Sequence, residues 1–189
     1  MAHLYINSSL WYKEKINDPM KVISAAFDFA EIEVYRKTLK HLLLFAEIKQ
    51  PYNKKEPGYF LQNLEKIEAM INAAFIINKE NLKSITRRPS FSKIDIDSQI
   101  NSLNWNTFPR SLSFKEYNNP EAVISKFFKY QKLSDWKHCL KSILDLTLTS
   151  DNIHESMLEI NAFSTFLQLT KLIESVHLIH VYSKVKDKQ

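Results

Sequence analysis

The residues best suited to hold a metal ion lie near the carboxyl end of the chain. Glu174 and His177 have the spacing E-x-x-H, and His180 follows three residues later. Residues three apart share one face of a helix, and helical di-iron proteins use two such pairs with two further glutamates. The corresponding residues in the first half of the chain are Asn72 and Phe75, so the second pair is missing. The pattern therefore favours histidines at the edge of a helical core, and we expect no metal and no other cofactor.

Arg36 and His41 form a second candidate pair, with four residues between them. The pair resembles the R-x4-H motif of the HEPN superfamily, small helical domains that include ribonucleases whose arginine and histidine act together on RNA phosphates. The residue after the arginine, usually polar in that family, is Lys37 here. In the second half of the chain Lys137 and Ser142 occupy the two positions, so the repeated framework does not require the pair. A HEPN-like RNA-binding or ribonuclease domain is one alternative for the function.

Cys139 stands beside His138 and is the only cysteine in the chain. Adjacent residues on a helix point about 100° apart, so this thiol and this imidazole cannot act as a nucleophile and its base. We predict that Cys139 is a small buried residue. Tyr35 and Trp136 are large aromatic residues at one repeated position, and we predict that both lie in or near the core.

The excess positive charge of the chain lies in residues 83–110. This segment has five Lys or Arg residues against two Asp residues, which gives +3 of the total charge of +5. Arg87, Arg88 and Trp105 combine positive charge with an aromatic ring, as expected for a contact with phosphate or with a partner protein. We predict that these three residues form a binding surface. The alternative is that Trp105 anchors the segment to the helices while the arginines are solvated.

The composition limits the classes of protein to be considered. Gly58 is the only glycine, whereas phosphate-binding loops and most sheet-rich folds need several. This excludes Walker and dinucleotide-binding loops. The chain has no run of about 20 apolar residues and no basic amino-terminal segment followed by an apolar run. We therefore expect a cytoplasmic protein with no signal peptide and no membrane contact.

An internal repeat organises the sequence. Residues 18–43 align with residues 119–144 at a constant offset of 101, and eight of the 26 positions are identical. Each copy begins with Asp or Asn followed by Pro, which is a strong start signal for a helix. Apolar residues then recur at multiples of four, on one helical face. We predict one helix from about Pro19 to Ala46 and its counterpart from about Pro120 to Thr147.

A second helix follows the first in each copy, after a breaker segment. We predict these helices from about Tyr59 to Asn78 and from about Ile153 to Ser183, the latter preceded by a capping box formed by Asn152 and Glu155. Two helical hairpins can bury their apolar faces against each other. The predicted fold is all-α, a four-helix bundle made of two repeated hairpins with pseudo-two-fold symmetry. It is a single domain of residues 1–189, with repeat one at 1–82, a connector at 83–110 and repeat two at 111–189.

The helical pattern also predicts which side chains are buried and where a strand can form. Leu4 and Ile6 are candidates to pair with residues 93–97 in a small ribbon, because apolar and charged residues alternate there. The apolar connector is expected to lie across the bundle. The residues predicted to be largely buried are Ile23, Phe27, Leu39, Leu43, Ile71, Ile124, Phe128, Leu140, Leu144, Phe166 and Ile173.

The helix starts resemble those of a group of uncharacterised helical proteins found in Bacteroidetes. The resemblance follows the pattern N/D-P-x-x-V-I-x-x-F-F and a later I-E-A/S stretch. Its carriers in repeat two are Asn119, Pro120, Val123, Ile124, Phe127, Phe128, Ile173, Glu174 and Ser175. In repeat one Ala26 replaces the first aromatic residue. Because these residues are caps and core positions, the resemblance implies a fold and no activity.

The function predicted from the sequence is a non-enzymatic protein-interaction or scaffold module, with a protein partner or a second copy of the chain. The repeat-shared residues are almost all apolar or capping, whereas catalysis needs polar groups that converge in a pocket. Apart from the HEPN-like domain, the alternative is a nucleic-acid-binding accessory protein that uses the basic connector.

Overall fold

The computed structural model describes residues 5–7, 13–15, 18–48, 50–54, 56–80, 108–149, 151, 153 and 161–186. The described residues form an all-α fold, as the sequence predicts, together with one short β-hairpin. The strands are β1 (Tyr5–Asn7) and β2 (Lys13–Lys15). The helices are α1 (Pro19–Phe29), α2 (Ile32–Glu47), α3 (Pro57–Lys79), α4 (Phe114–Tyr117), α5 (Pro120–Tyr130), α6 (Leu133–Leu148) and α7 (Ala162–Lys186).

The hairpin strand near the amino terminus has a partner other than the predicted one. β1 pairs with β2 in antiparallel register, and Ile6 lies opposite Glu14. The predicted partner, residues 93–97, lies outside the described residues, as does the predicted capping box of Asn152 and Glu155. The carboxamide of Asn161 instead accepts from the backbone amide of Ser164 at 2.8 Å, just ahead of α7.

The caps predicted for the first helix of each repeat are confirmed. Asp18 accepts from the backbone amides of Met20 and Lys21, and Asn119 accepts from that of Ala122. These bonds satisfy amides that have no partner within their helices.

The prediction of one continuous first helix in each repeat is wrong. The chain leaves the helix at Ala30 and again at Gln131, where the backbone is extended (φ −151°, ψ 151° and φ −153°, ψ 145°). The next residues, Glu31 and Lys132, are also extended before α2 and α6 begin. Neither break contains glycine or proline, so the usual sequence signals for a helix end are missing.

An aromatic side chain spans each break. The hydroxyl of Tyr35 donates to the carbonyl oxygen of Ala26, and Nε1 of Trp136 donates to that of Phe127 at 3.3 Å. Both donors are fully buried, as predicted for this repeated position. Each bond ties α2 or α6 to the last turn of the helix before it, across the break.

The helices of the two repeats pack into one core. Within the repeats α1 packs on α3, and α5 packs on α7. Between the repeats α2 packs on α6 and α7, while α3 packs on α5, α6 and α7. One cluster of buried apolar side chains therefore contains residues of both repeats.

Two backbone hydrogen bonds join the ends of α2 and α6. The amide of Tyr52 donates to the carbonyl oxygen of Thr147 at 2.8 Å, and the amide of Ile153 donates to that of Ala46 at 2.9 Å. The hydroxyl of Thr147 also lies 2.8 Å from the carbonyl oxygen of Leu42. Helices α2 and α6 therefore end side by side.

Eight of the eleven predicted core residues are buried. The other three, Phe27, Phe128 and Phe166, are partly buried and pack against the cluster from its edge. In repeat two Phe127 takes the fully buried position and stacks on Trp136. Phe128, predicted to be largely buried, packs beside Phe127 at the edge of the core.

No helix among the described residues is long and apolar enough to cross a membrane.

Candidate functional site

Glu174 lies at the centre of a buried polar cluster between α2, α7 and the end of the connector. Its side chain is 0% exposed. Oε1 accepts from Nε and Nη2 of Arg36 at 3.0 and 2.7 Å, and from the backbone amide of Arg110 at 3.0 Å. Oε2 accepts from the backbone amide of Ser111 at 2.8 Å. Four donors thus compensate the buried carboxylate, as a buried charge requires.

Arg36 links this carboxylate to the connector. Its Nη2 donates to the carbonyl oxygen of Phe108 at 2.7 Å, and its Nη1 lies 3.4 Å from Oε2 of Glu33. The guanidinium of Arg110 contacts the same Glu33 oxygen at 3.4 Å. The ring of Phe108 stacks on Tyr117, in a small apolar cluster against α7. Residues 108–111 are therefore fixed to the helices by polar and apolar contacts together.

The R-x4-H pair does not converge on one point. Residues five apart on a helix point about 140° apart. Arg36 faces Glu174, whereas the His41 ring centroid lies 6.3 Å from that of Phe45 and 6.4 Å from that of Tyr52. Burial, together with nearby lysines, lowers the pKa of His41.

The histidines of the E-x-x-H pattern face an aromatic ring. His177 and His180 lie with their ring centroids 4.9 and 5.4 Å from that of Phe27. Nδ1 of His177 is buried and has no hydrogen-bond partner among the described residues. Because Arg36 and two backbone amides occupy the Glu174 oxygens, Glu174 holds the connector here. Among the described residues, no group of three or more His, Cys, Asp or Glu side chains is placed to hold a metal ion.

The environment of His177 makes stability depend on pH. Burial, helped by the positive charges of His180, Arg36 and Lys184, lowers the pKa of His177 from 6.5 to about 4. Above the unfolded pKa both states are neutral, so His177 contributes no pH dependence there. As the pH falls from 6.5 towards 4, only the unfolded state gains the proton, and the free energy of unfolding decreases. At 1.36 kcal/mol per unit, the loss approaches about 3 kcal/mol.

Urea unfolding above neutral pH and near pH 4.5 would measure this loss. We expect His177→Gln to lose less stability on acidification than the unsubstituted protein. His138→Gln, a change at an exposed histidine on α6, is the matched control and should leave the acid loss unchanged. An acid loss that is the same with and without His177 would contradict the assignment.

A second pair of charges joins the repeats elsewhere. Lys137, which occupies the position of Arg36 in repeat two, has its Nζ 3.9 Å from Oε1 of Glu68, and both side chains are largely buried. Burial lowers the pKa of Lys137, and the charge of Glu68 opposes that shift. Each basic residue thus faces a glutamate of the other repeat. Arg36 faces Glu174 of α7, and Lys137 faces Glu68 of α3.

The other candidate residues from the sequence do not form a site among the described residues. Cys139 is buried in the core, where burial raises its pKa, and His138 is exposed. The predicted binding residues Arg87, Arg88 and Trp105 lie outside the described residues.

Several residues of the cluster were not singled out from the sequence. Glu33 and the backbone of residues 108–111 carry no motif. α4 was also missed, although Ser113 and Glu116 have the spacing of a capping box, and both of its hydrogen bonds form. Glu116 also pairs with Lys171 of α7 at 2.8 Å. The capping spacing was the one signal that could have located this segment.

No family model, no curated protein and no solved structure matches the chain. The resemblance to the Bacteroidetes group therefore stays a prediction.

Proposed function

We propose that the chain is a non-enzymatic protein-interaction module that pairs with a second copy of itself. The observation that carries this proposal is a set of exposed side chains on the outer faces of α2 and α6, here called the outer stripe. It combines apolar residues with charges of both signs. Its members are Lys40, Leu44 and Glu47 on α2, Ile48 directly after α2, and Lys141, Asp145 and Leu148 on α6.

The spacing of these residues supports a continuous contact surface. On α2 Lys40, Leu44 and Glu47 stand at i, i+4 and i+7, and the α6 members have the same spacing, so the members on each helix share one helical face. Ile48 follows directly after the end of α2. Because α2 and α6 end side by side, Leu44, Ile48 and Leu148 lie at the same end of the molecule. Large exposed apolar side chains grouped in this way are typical of interfaces.

The mixture of charges favours a second copy as the partner. A two-fold dimer brings the same surface of both copies together, so that surface must complement itself. The outer stripe carries Lys40 and Lys141 beside Glu47 and Asp145, which allows lysines of one copy to face carboxylates of the other.

The buried polar cluster supports a non-enzymatic role. Arg36 and Glu174 are engaged with each other and with the backbone of residues 108–111. RNA cleavage by a HEPN-like mechanism would need Arg36 and His41 together at one phosphate, and their separate surroundings count against it. The alternative that uses Arg87 and Arg88 would show as nucleic-acid binding lost in the variant with both arginines replaced by alanine.

We also propose that the fold is a four-helix bundle with a pseudo-two-fold axis, in which the first helix of each repeat is broken. The bonds between residues 52 and 147 and between residues 153 and 46 support it, because an offset of 101 converts one into the other with the repeats exchanged. The bonds made by Tyr35 and Trp136 are related by the same offset.

Light scattering over a range of concentrations tests the dimer. We expect a dimer whose dissociation constant rises at least about tenfold in the Leu44→Asp, Leu148→Asp double variant, since charged residues would be buried at the contact. Val181→Asp, a change at an exposed apolar residue of α7, is the control and should leave the dimer intact. Circular dichroism would verify that the helices persist.

Two results would overturn the proposal. One is a monomer at every concentration, and the other is a dimer that ignores the double substitution while the helices remain folded.

A further inference from the structure

A basic and aromatic surface lies at the carboxyl end of α5. Lys126, Lys129 and Tyr130 are exposed, and their spacing of i, i+3 and i+4 places them on one helical face. Lys132 is exposed two residues beyond Tyr130, in the break before α6. Asp135, an exposed residue in the first turn of α6, is the nearest acidic residue in the sequence. Residues 122–134 contain no Asp or Glu, so this stretch of the chain has an excess of positive charge.

The other repeat serves as an internal control for these lysines. Lysines at the end of a helix can simply complement its dipole. The corresponding residues of repeat one are Ala25, Asp28 and Glu31, yet α1 forms over the same eleven positions as α5. The lysines are thus not needed to form or end the helix.

The aromatic residue differs between the repeats as well. Tyr130 is 57% exposed, whereas its counterpart Phe29 is 39% exposed. The ring of Tyr59 lies 5.9 Å from that of Phe29, and Nζ of Lys66 lies over the same ring. The open ring in repeat two is accordingly the more available of the two for an external contact.

Buried rings support Tyr130 from within. Its ring is near-parallel to that of Trp136, with centroids 6.1 Å apart and 28° between the planes. Trp136 in turn stacks on Phe127 at 4.2 Å and 8°. Since Trp136 and Phe127 are buried, the Tyr130 ring is held by fixed neighbours and costs little entropy to engage.

We propose that Lys126, Lys129, Tyr130 and Lys132 bind single-stranded nucleic acid, with a base stacked on Tyr130 and the lysines on phosphates. Proteins that bind single strands without reading sequence combine a positive surface with exposed aromatic rings in this way. An acidic peptide would use the lysines but would give the open ring no base to stack on. The surface is separate from the outer stripe, so binding does not depend on the proposed dimer.

Fluorescence anisotropy with labelled oligouridylate and oligothymidylate at low salt tests the proposal. We expect Tyr130→Ala to weaken binding by roughly 5- to 150-fold, which corresponds to the loss of one base stacked on an aromatic ring. The triple variant Lys126→Ala, Lys129→Ala, Lys132→Ala should reduce the dependence on salt. The slope of the logarithm of the binding constant against the logarithm of the salt concentration is negative. If about three phosphate contacts are lost, this slope should become about 2 units less steep.

Matched variants separate this surface from general charge effects. Phe29→Ala tests the counterpart ring, and replacing the exposed lysines Lys21, Lys79 and Lys115 with alanine removes the same charge elsewhere. Phe29→Ala should change the affinity by no more than about twofold. The lysine control should also change it by no more than about twofold, apart from the weaker long-range attraction that follows from its lower positive charge. The proposal is overturned if the oligonucleotides do not bind, or if the control lysines matter equally. It is also overturned if inorganic polyphosphate or polyglutamate binds as tightly and Tyr130→Ala has no effect.

Discussion

Replacing Glu174 with alanine is expected to lower the free energy of unfolding by about 3–5 kcal/mol, the usual result of breaking a buried ion pair from one side. The substitution leaves the guanidinium of Arg36 buried without its carboxylate. It also removes the acceptor for the backbone amides of Arg110 and Ser111. Urea unfolding would measure the loss. Hydrogen exchange at those two amides should quicken, because they lose their bonds.

The opposite substitution should cost less. In Arg36→Met the carboxylate keeps its two backbone donors, and methionine fills much of the space of the arginine stem. Lys171→Met, which breaks the more exposed pair with Glu116, is the matched control and should cost about 1 kcal/mol or less. If Glu174→Ala cost no more than this control, the assignment of Glu174 as the anchor of the connector would be wrong.

The repeat made the helical part of the fold predictable. Asp18 and Asn119 marked the helix starts correctly, and the apolar period gave the buried faces of α1 and α2. The breaks at Ala30 and Gln131 were not predictable from local sequence, because neither helix ends at a residue with its own helix-breaking tendency. What accompanies each break is a hydrogen bond from Tyr35 or Trp136 to a carbonyl oxygen nine residues earlier. The sequence pattern predicted that both rings lie in or near the core, but it did not reveal these bonds.

The role of Glu174 was harder to predict, for a related reason. Its spacing to His177 is typical of metal-binding helices, and the repeat correctly indicated that a second pair is missing. Its actual partners are Arg36, 138 residues away in the sequence, and the backbone amides of Arg110 and Ser111, where the connector ends. Backbone donors have no residue type to reveal them, so no motif could have shown that a connector ends on this carboxylate.

The same comparison of repeats distinguishes residues that build the fold from residues added to it. Positions 35 and 136 differ in chemistry but keep one hydrogen bond, which indicates a structural requirement. Lys129 and Asp28 occupy equivalent positions with opposite charges, which indicates that the fold is indifferent there. Positions of the second kind are therefore free to serve function, as proposed for the end of α5.

Trp136→Ala should also lower the free energy of unfolding by about 3–5 kcal/mol, measured by urea unfolding. Trp136 is 0% exposed, stacks on Phe127 and donates to the carbonyl oxygen of that residue, so truncation removes apolar packing and a buried hydrogen bond together. Trp136→Tyr places the residue of repeat one at this position and can keep a donor, whereas Trp136→Phe cannot. If the donor fixes the angle between α5 and α6, the tyrosine variant should be more stable than the phenylalanine variant by about 1 kcal/mol. Equal stability of these two variants would mean that packing alone sets the angle, because they differ only in the hydroxyl group.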